Sequence, residues 1–169
     1  MAKQSTKLPS GQATLYNFLL NEVLASQLSS SDTFLIVAPW VTNFPLNNPY
    51  YVSFQEIVET RQEKLHLFDI LHQIATNGTD IKITVGKDSR YHSPLKQLSQ
   101  QNIRIQAKVL SELHAKAYVG NYGAIEGSLN LTGNGVHQNL ELFTYSYDEA
   151  NRSKLRKFCL DCFEKGEPL

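Results

Sequence analysis

A histidine and a lysine stand two residues apart in LHAKAYV, at His114 and Lys116; ten residues later the chain reads Gly127-Ser128-Leu129-Asn130. An imidazole serves as nucleophile, general acid or general base near neutrality. The lysine adds a fixed positive charge beside it, and Ser128 and Asn130 add short-range hydrogen-bond donors. That set suits the oxygens of a phosphate with a nucleophile or acid close by. In an extended chain His114, Lys116 and Tyr118 share one face, while Ala115, Ala117 and Val119 share the other. The alanine-valine face can pack under a helix. A purely structural strand gains nothing from the His-Lys face, because burying either side chain unpaired costs several kcal/mol. Gly127 lets the backbone approach another group closely.

The elements that must position these residues follow from hydrophobic period. Leu15, Phe18, Leu19, Val23 and Leu24 recur at helical spacing. TFLIVAP (Thr33–Pro39) is a continuous apolar run, as in a buried strand. Trp40 to Tyr51 is rich in Pro, Asn and aromatics and reads as an ordered functional loop. A second helix carries Leu65, Phe68, Leu71, His72 and Ile74 and stops at Asn77-Gly78. IKITVG (Ile81–Gly86) is a strand; Ser93 and Pro94 read as N-cap and first residue of a short helix to Gln101. Further strands are expected over Ile103–Val109, His114–Val119, Ala124–Glu126 and Leu140–Ser146. The tail from Asp148 is a helix with Leu155, Phe158, Cys159 and Cys162 facing inward. Helices alternating with strands early and strands clustering late imply an α/β fold, a mixed β-sheet flanked by helices on both faces.

The spacing His-x-Lys, ten residues, Gly-Ser-x-Asn resembles the signature of the phospholipase D superfamily. Its usual form is His-x-Lys, four residues, Asp, six residues, Gly-Ser or Gly-Gly, one residue, Asn. The match is close over Leu113–Leu142. Asn121 replaces the family aspartate, which has a supporting part in orienting the surroundings of the site. The Gly-Ser-x-Asn group arrives one residue early, which a turn between Gly120 and Gly123 absorbs. Glu141 falls where single-motif nucleases of the superfamily carry a glutamate that hydrogen-bonds the imidazole.

The resemblance implies two histidines per site, and this chain has one motif: His66, His72, His92 and His137 lack a lysine two residues on. Single-motif members form a homodimer with one active site across the two-fold axis. His114 of one subunit would then attack phosphorus, and the same residue of the second would protonate the leaving oxygen. Lys116, Asn130 and Ser128 would hold the non-bridging oxygens, and Glu141 would fix an imidazole tautomer. No metal and no cofactor is implied. The function expected is a nuclease acting on DNA or RNA, by analogy in bacterial defence or DNA processing with partner proteins for targeting. A non-catalytic nucleic-acid-binding subunit is the alternative, prompted by Asn121 and the charge balance. Substrate contacts are expected from Trp40, past the end of a buried strand, and from the basic-aromatic loop carrying Lys87, Arg90, Tyr91 and His92.

Composition fits this. With 169 residues one domain is expected, residues 1–11 being a flexible lead. Lysine plus arginine and aspartate plus glutamate both number 16, which excludes a broadly basic coat but not a local basic cleft. No apolar run is long enough to span a membrane, and no helix shows a basic amphipathic face for a lipid surface. Cys159 and Cys162 read as small hydrophobes on a buried face rather than metal ligands. A reducing, cytoplasmic setting is the expectation.

Overall fold

The computed structural model describes residues 2–5, 9–28, 32–47, 51–58 and 64–169. In chain order the elements are β1 (Ala2–Ser5), α1 (Pro9–Ser26), β2 (Phe34–Val37), α2 (Tyr51–Phe54), α3 (Leu67–Thr76), β3 (Ile81–Val85), α4 (His92–Gln101), β4 (Ile105–Val109), β5 (Ala117–Val119), β6 (Ala124–Gly127), α5 (Gly133–His137), β7 (Leu142–Ser146), α6 (Glu149–Lys165) and β8 (Glu167–Pro168). The strands form one sheet in the order β1-β7-β6-β5-β2-β3-β4-β8. β2, β3 and β4 run parallel, and the pairs from β2 to β5, β6, β7 and β1 are antiparallel, as is β4 to β8. The sheet is therefore mixed, as its alternation of helices and strands implied.

Both faces are covered, and this explains the unbroken apolar run of β2. Phe34 and Ile36 join the larger core under α1, α3 and α4, with Leu15, Phe18, Ile70, Leu71 and Leu95. Leu35 and Val37 face the other way, into a smaller core with Ala117 and Val119 and with Leu155, Cys159 and Cys162 of α6. A strand buried on both sides has no polar face to alternate with. Cys159 and Cys162 are free thiols in that smaller core.

Several boundaries differ from the sequence reading. Within residues 1–11, expected as a flexible lead, Ala2–Ser5 pairs with β7, whose outer edge would otherwise lack partners. Ser93 is not an N-cap: a 3₁₀ turn over Ser89–Tyr91, capped by the Asp88 side chain, runs directly into α4 at His92. Phe158 is 40% exposed, because α6 buries a narrow stripe through Leu155, Cys159 and Cys162. The expected strand over His114–Val119 begins only at Ala117. Tyr118 does face away from Ala117 and Val119, lying in the larger core while they lie in the smaller. No helix among the described residues is long and apolar enough to cross a membrane.

Candidate active site

Topology gathers the candidate residues at one end of the sheet. β2 and β3 are parallel, so the segments after them, carrying Trp40 and Tyr91, leave from the same end. β5 runs antiparallel to β2, with Val37 opposite Ala117, so His114 to Lys116 enter β5 at that end. β6 reverses again and delivers Gly127 and Ser128 there; β7 then starts from it after Glu141. Ligand sites of parallel α/β sheets occupy this position, beyond the carboxyl ends of the strands.

Ser128 and Glu141 are locked together across the β6–β7 pair. The Ser128 hydroxyl donates to the Glu141 carboxylate and accepts from Leu142 N at 3.1 Å, while Ser128 N donates to Leu142 O at 2.9 Å. Asn139 Nδ2 adds a bond to Glu141 Oε1 at 3.2 Å. The close approach depends on Gly127, with φ at +155°, where a Cβ would lie 2.4 Å from Leu142 O. No side chain fits there.

Asn130 is nearly buried, 8% exposed, and its Oδ1 accepts from Trp40 N at 3.3 Å. That bond commits the carbonyl end of the amide and leaves the NH₂ outside it. Its backbone is held from below by Tyr118, whose buried hydroxyl donates to Leu129 O. Burial, and secondarily the Glu141 carboxylate, pushes the Tyr118 phenol well above its ordinary pKa, so it stays a neutral donor. Thr132 caps α5 by accepting from Gly135 N at 3.0 Å, which fixes the turn beyond Asn130.

A cavity of about 490 Å³ opens at this end, with Trp40, Tyr91, Asn130 and Glu141 among its lining residues. Of the expected substrate contacts, Trp40 and Tyr91 line it, their ring centroids 6.4 Å apart. Lys87 and Arg90 are exposed and do not line it. The Arg90 guanidinium is engaged by Asp88, with Nη2 to Oδ2 at 2.5 Å and Nε to Oδ1 at 2.9 Å, which holds the Asp88 carboxyl below its ordinary value.

His114 and Lys116 stand beside this cluster without closing on it. Lys116 O accepts from Gly127 N at 3.2 Å, so the two segments are one rung apart. Lys116 Nζ donates to His114 O at 2.8 Å. His114 is exposed, and among the described residues its ring has no hydrogen bond; Glu141 is held by Ser128 and Asn139 instead.

Asn121 lies at the opposite end of β5. Its backbone N and Nδ2 donate to the Glu22 carboxylate at 2.8 and 2.9 Å, and its Oδ1 accepts from Asp32 N at 2.8 Å. Glu22 is 1% exposed, and burial raises its pKa despite those bonds. Gly120 makes the room: a Cβ there would lie 2.0 Å from Glu22 Oε1. Arg152 and Arg156 close the cluster by donating to Gly120 O at 3.3 and 3.2 Å. Gly120 N donates to Gly123 O at 3.0 Å, forming the turn expected there.

Sequence reasoning missed Asn139 and Asn43, which line the cavity, and Glu22. Asn139 sits two residues before Glu141 in a polar run, a signal available in hindsight; Asn43 lies in the loop already marked as functional. Glu22 gave no signal, since one carboxylate on a helix is ordinarily solvated. Among the described residues no group of three or more His, Cys, Asp or Glu is placed to hold a metal ion.

Residues 50–159 match the family described as "Cardiolipin synthase, PLD-like domain", and the chain belongs to this phospholipase D-like family. Its fold is similar to NucT from Helicobacter pylori, with a TM-score of 0.68, 14% identity, and coverage of 99% of this chain and 98% of that one. It is similar also to Nuc, a phospholipase D family member from Salmonella typhimurium, with a TM-score of 0.66, 15% identity, and coverage of 99% and 96%. TrmBL2, an archaeal chromatin protein with a novel mode of DNA binding, matches at a TM-score of 0.60 and 10% identity over 100% of this chain and 54% of that one. A comparison with curated protein sequences finds no match.

Proposed function

We propose that this chain is a metal-independent phosphodiesterase that hydrolyses nucleic acid through a phosphohistidine, at a site completed by a second copy of itself. The observation that carries the reading is the cluster of Ser128, Asn130 and Glu141 one rung from the segment bearing His114 and Lys116, in a phospholipase D-like chain. An imidazole nitrogen of His114 attacks phosphorus, forming a P–N bond as the P–O bond to the leaving group breaks. His114 of the second copy gives its proton to the leaving oxygen. It then takes a proton from water, whose oxygen attacks phosphorus and releases the first imidazole. The Lys116 ammonium groups, with the Asn130 amide, stabilise the extra negative charge of the five-coordinate transition state. Glu141, already seated by two donors, would accept the N–H of the imidazole that a second copy brings or that substrate draws in.

The His114 ring, exposed and without a hydrogen bond among the described residues, supports the two-copy site, since the two-step chemistry needs a nucleophile and an acid together. The likeness to TrmBL2, a DNA-binding archaeal chromatin protein, favours a second reading as a non-catalytic nucleic-acid-binding subunit. One assay separates the two. Protein would be incubated with single- and double-stranded DNA and with RNA in excess EDTA, beside His114→Ala. Cleavage that survives EDTA and disappears in the variant supports the enzyme; binding with no cleavage of any substrate leaves the second reading. A sedimentation mass of one chain at micromolar concentration, in an active sample, would refute the shared site.

A further inference from the structure

The cavity beside Asn130 has a chemistry that a phosphate-holding site does not need. Its wall includes Trp40, 42% exposed, and Tyr91; among the described residues no lysine, arginine or histidine lines it, and the one carboxylate is Glu141. A phosphate entering would meet a negative charge and no cation. A neutral, flat, polar-edged group would meet an aromatic face and carboxamides. Two of those amides are pre-set as donors. Asn130 commits its Oδ1 to Trp40 N at 3.3 Å, and Asn43 commits its Oδ1 to Phe68 N at 2.9 Å. Each therefore offers NH₂ toward a ligand: that of Asn130 serves the neighbouring phosphate, and that of Asn43 suits the acceptor edge of a base. A volume of about 490 Å³ accommodates one nucleobase and its sugar.

We propose that this cavity is a nucleobase subsite, in which a base drawn out of its stack lies against Trp40 with its acceptor edge toward Asn43. This rests on the nucleic-acid reading above and deepens it, because a stacked and paired base cannot enter. The preferred substrate is then a single strand, or a frayed or looped segment, with the scissile phosphate next to the held base.

Trp40 is the chain's single tryptophan, so intrinsic fluorescence reports on this wall alone. The experiment titrates His114→Ala, which prevents turnover, with oligothymidylate, with an abasic strand of equal length, and with a duplex. Oligothymidylate should quench the emission, and the abasic strand should bind without quenching. Trp40→Ala should raise the dissociation constant for oligothymidylate about tenfold, given stacking of about 1–3 kcal/mol per base and 1.4 kcal/mol per decade. Affinity for the abasic strand should not move. Equal quenching by both strands, or an equal loss of affinity for both, overturns the subsite. Cleavage by the unmodified chain with no base-dependent quenching overturns the subsite and leaves the phosphodiesterase standing. Base-dependent quenching without cleavage does the reverse.

Discussion

The two ends of β5 carry polar residues of similar kind and treat them in opposite ways. At the entry, His114 is exposed, and among the described residues its ring is unbonded and Lys116 Nζ reaches only a neighbouring carbonyl. At the exit, Asn121 uses its backbone N–H, its amide nitrogen and its amide oxygen, all within the fold. Polar groups at a reacting centre must keep capacity for a ligand, whereas buried polar groups that build a fold must be fully paired. Three strand residues separate the proposed site from a buttress. The position where the family carries aspartate belongs to the buttress, and Glu22 supplies the carboxylate there instead. Asparagine is the residue that lets a buried carboxylate stand opposite, because it brings a donor where aspartate would bring a second negative charge.

The largest test of that contrast is at the entry. His114→Ala should lower cleavage by three or more decades, about 4 kcal/mol of barrier at 1.4 kcal/mol per decade, with the melting temperature unchanged. Any comparable loss of stability would place His114 in the buttress class. At the exit the effects should reverse. Gly120→Ala drives a Cβ into the Glu22 carboxylate and should cost about 3 kcal/mol of folding stability, read by chemical denaturation. Specific activity per folded molecule should survive.

Asn121→Asp, which restores the family residue, should destabilise the fold by about 1–3 kcal/mol at neutral pH. The penalty should shrink on acidification as the new carboxylate pair takes up a proton. A gain in activity from that substitution would mean that the exit does reach the chemistry. The smallest effect is a slope. Burial raises the Glu22 pKa above its ordinary 4.5, so the native state binds more protons than the unfolded chain just above that pH. Stability from this group is then greatest below 4.5 and falls as pH rises through the folded value. Glu22→Gln should flatten that decline in melting curves taken across the range; an unchanged slope would assign it to another group.

The entry was far more legible in sequence than the exit. His114, Lys116, Ser128, Asn130 and Glu141 stand out because reactive residue types cluster at fixed short spacing. β2 and α3 were readable because burial on two faces, or on one helical stripe, imposes a period. Glu22 and Asn121 lie 99 residues apart and meet only through tertiary packing, so neither carries a local signature. β1 and β8 were missed for a related reason: strands of four and two residues are too short to show alternation. The strand start at Ala117 was misplaced because His114 continues its alternation in sequence, whereas the pairing with β6 ends at the bond from Gly127 N to Lys116 O.

The smaller core offers a further consequence. Burial pushes the Cys159 thiol up to about 12 and raises Cys162 as well, so the native molecule holds both as sluggish, protonated sulfur. They lie on the buried face of α6, the helix that backs β5 from behind. Alkylation therefore acts as a clock for how often that helix lifts away, counting local openings one covalent event at a time.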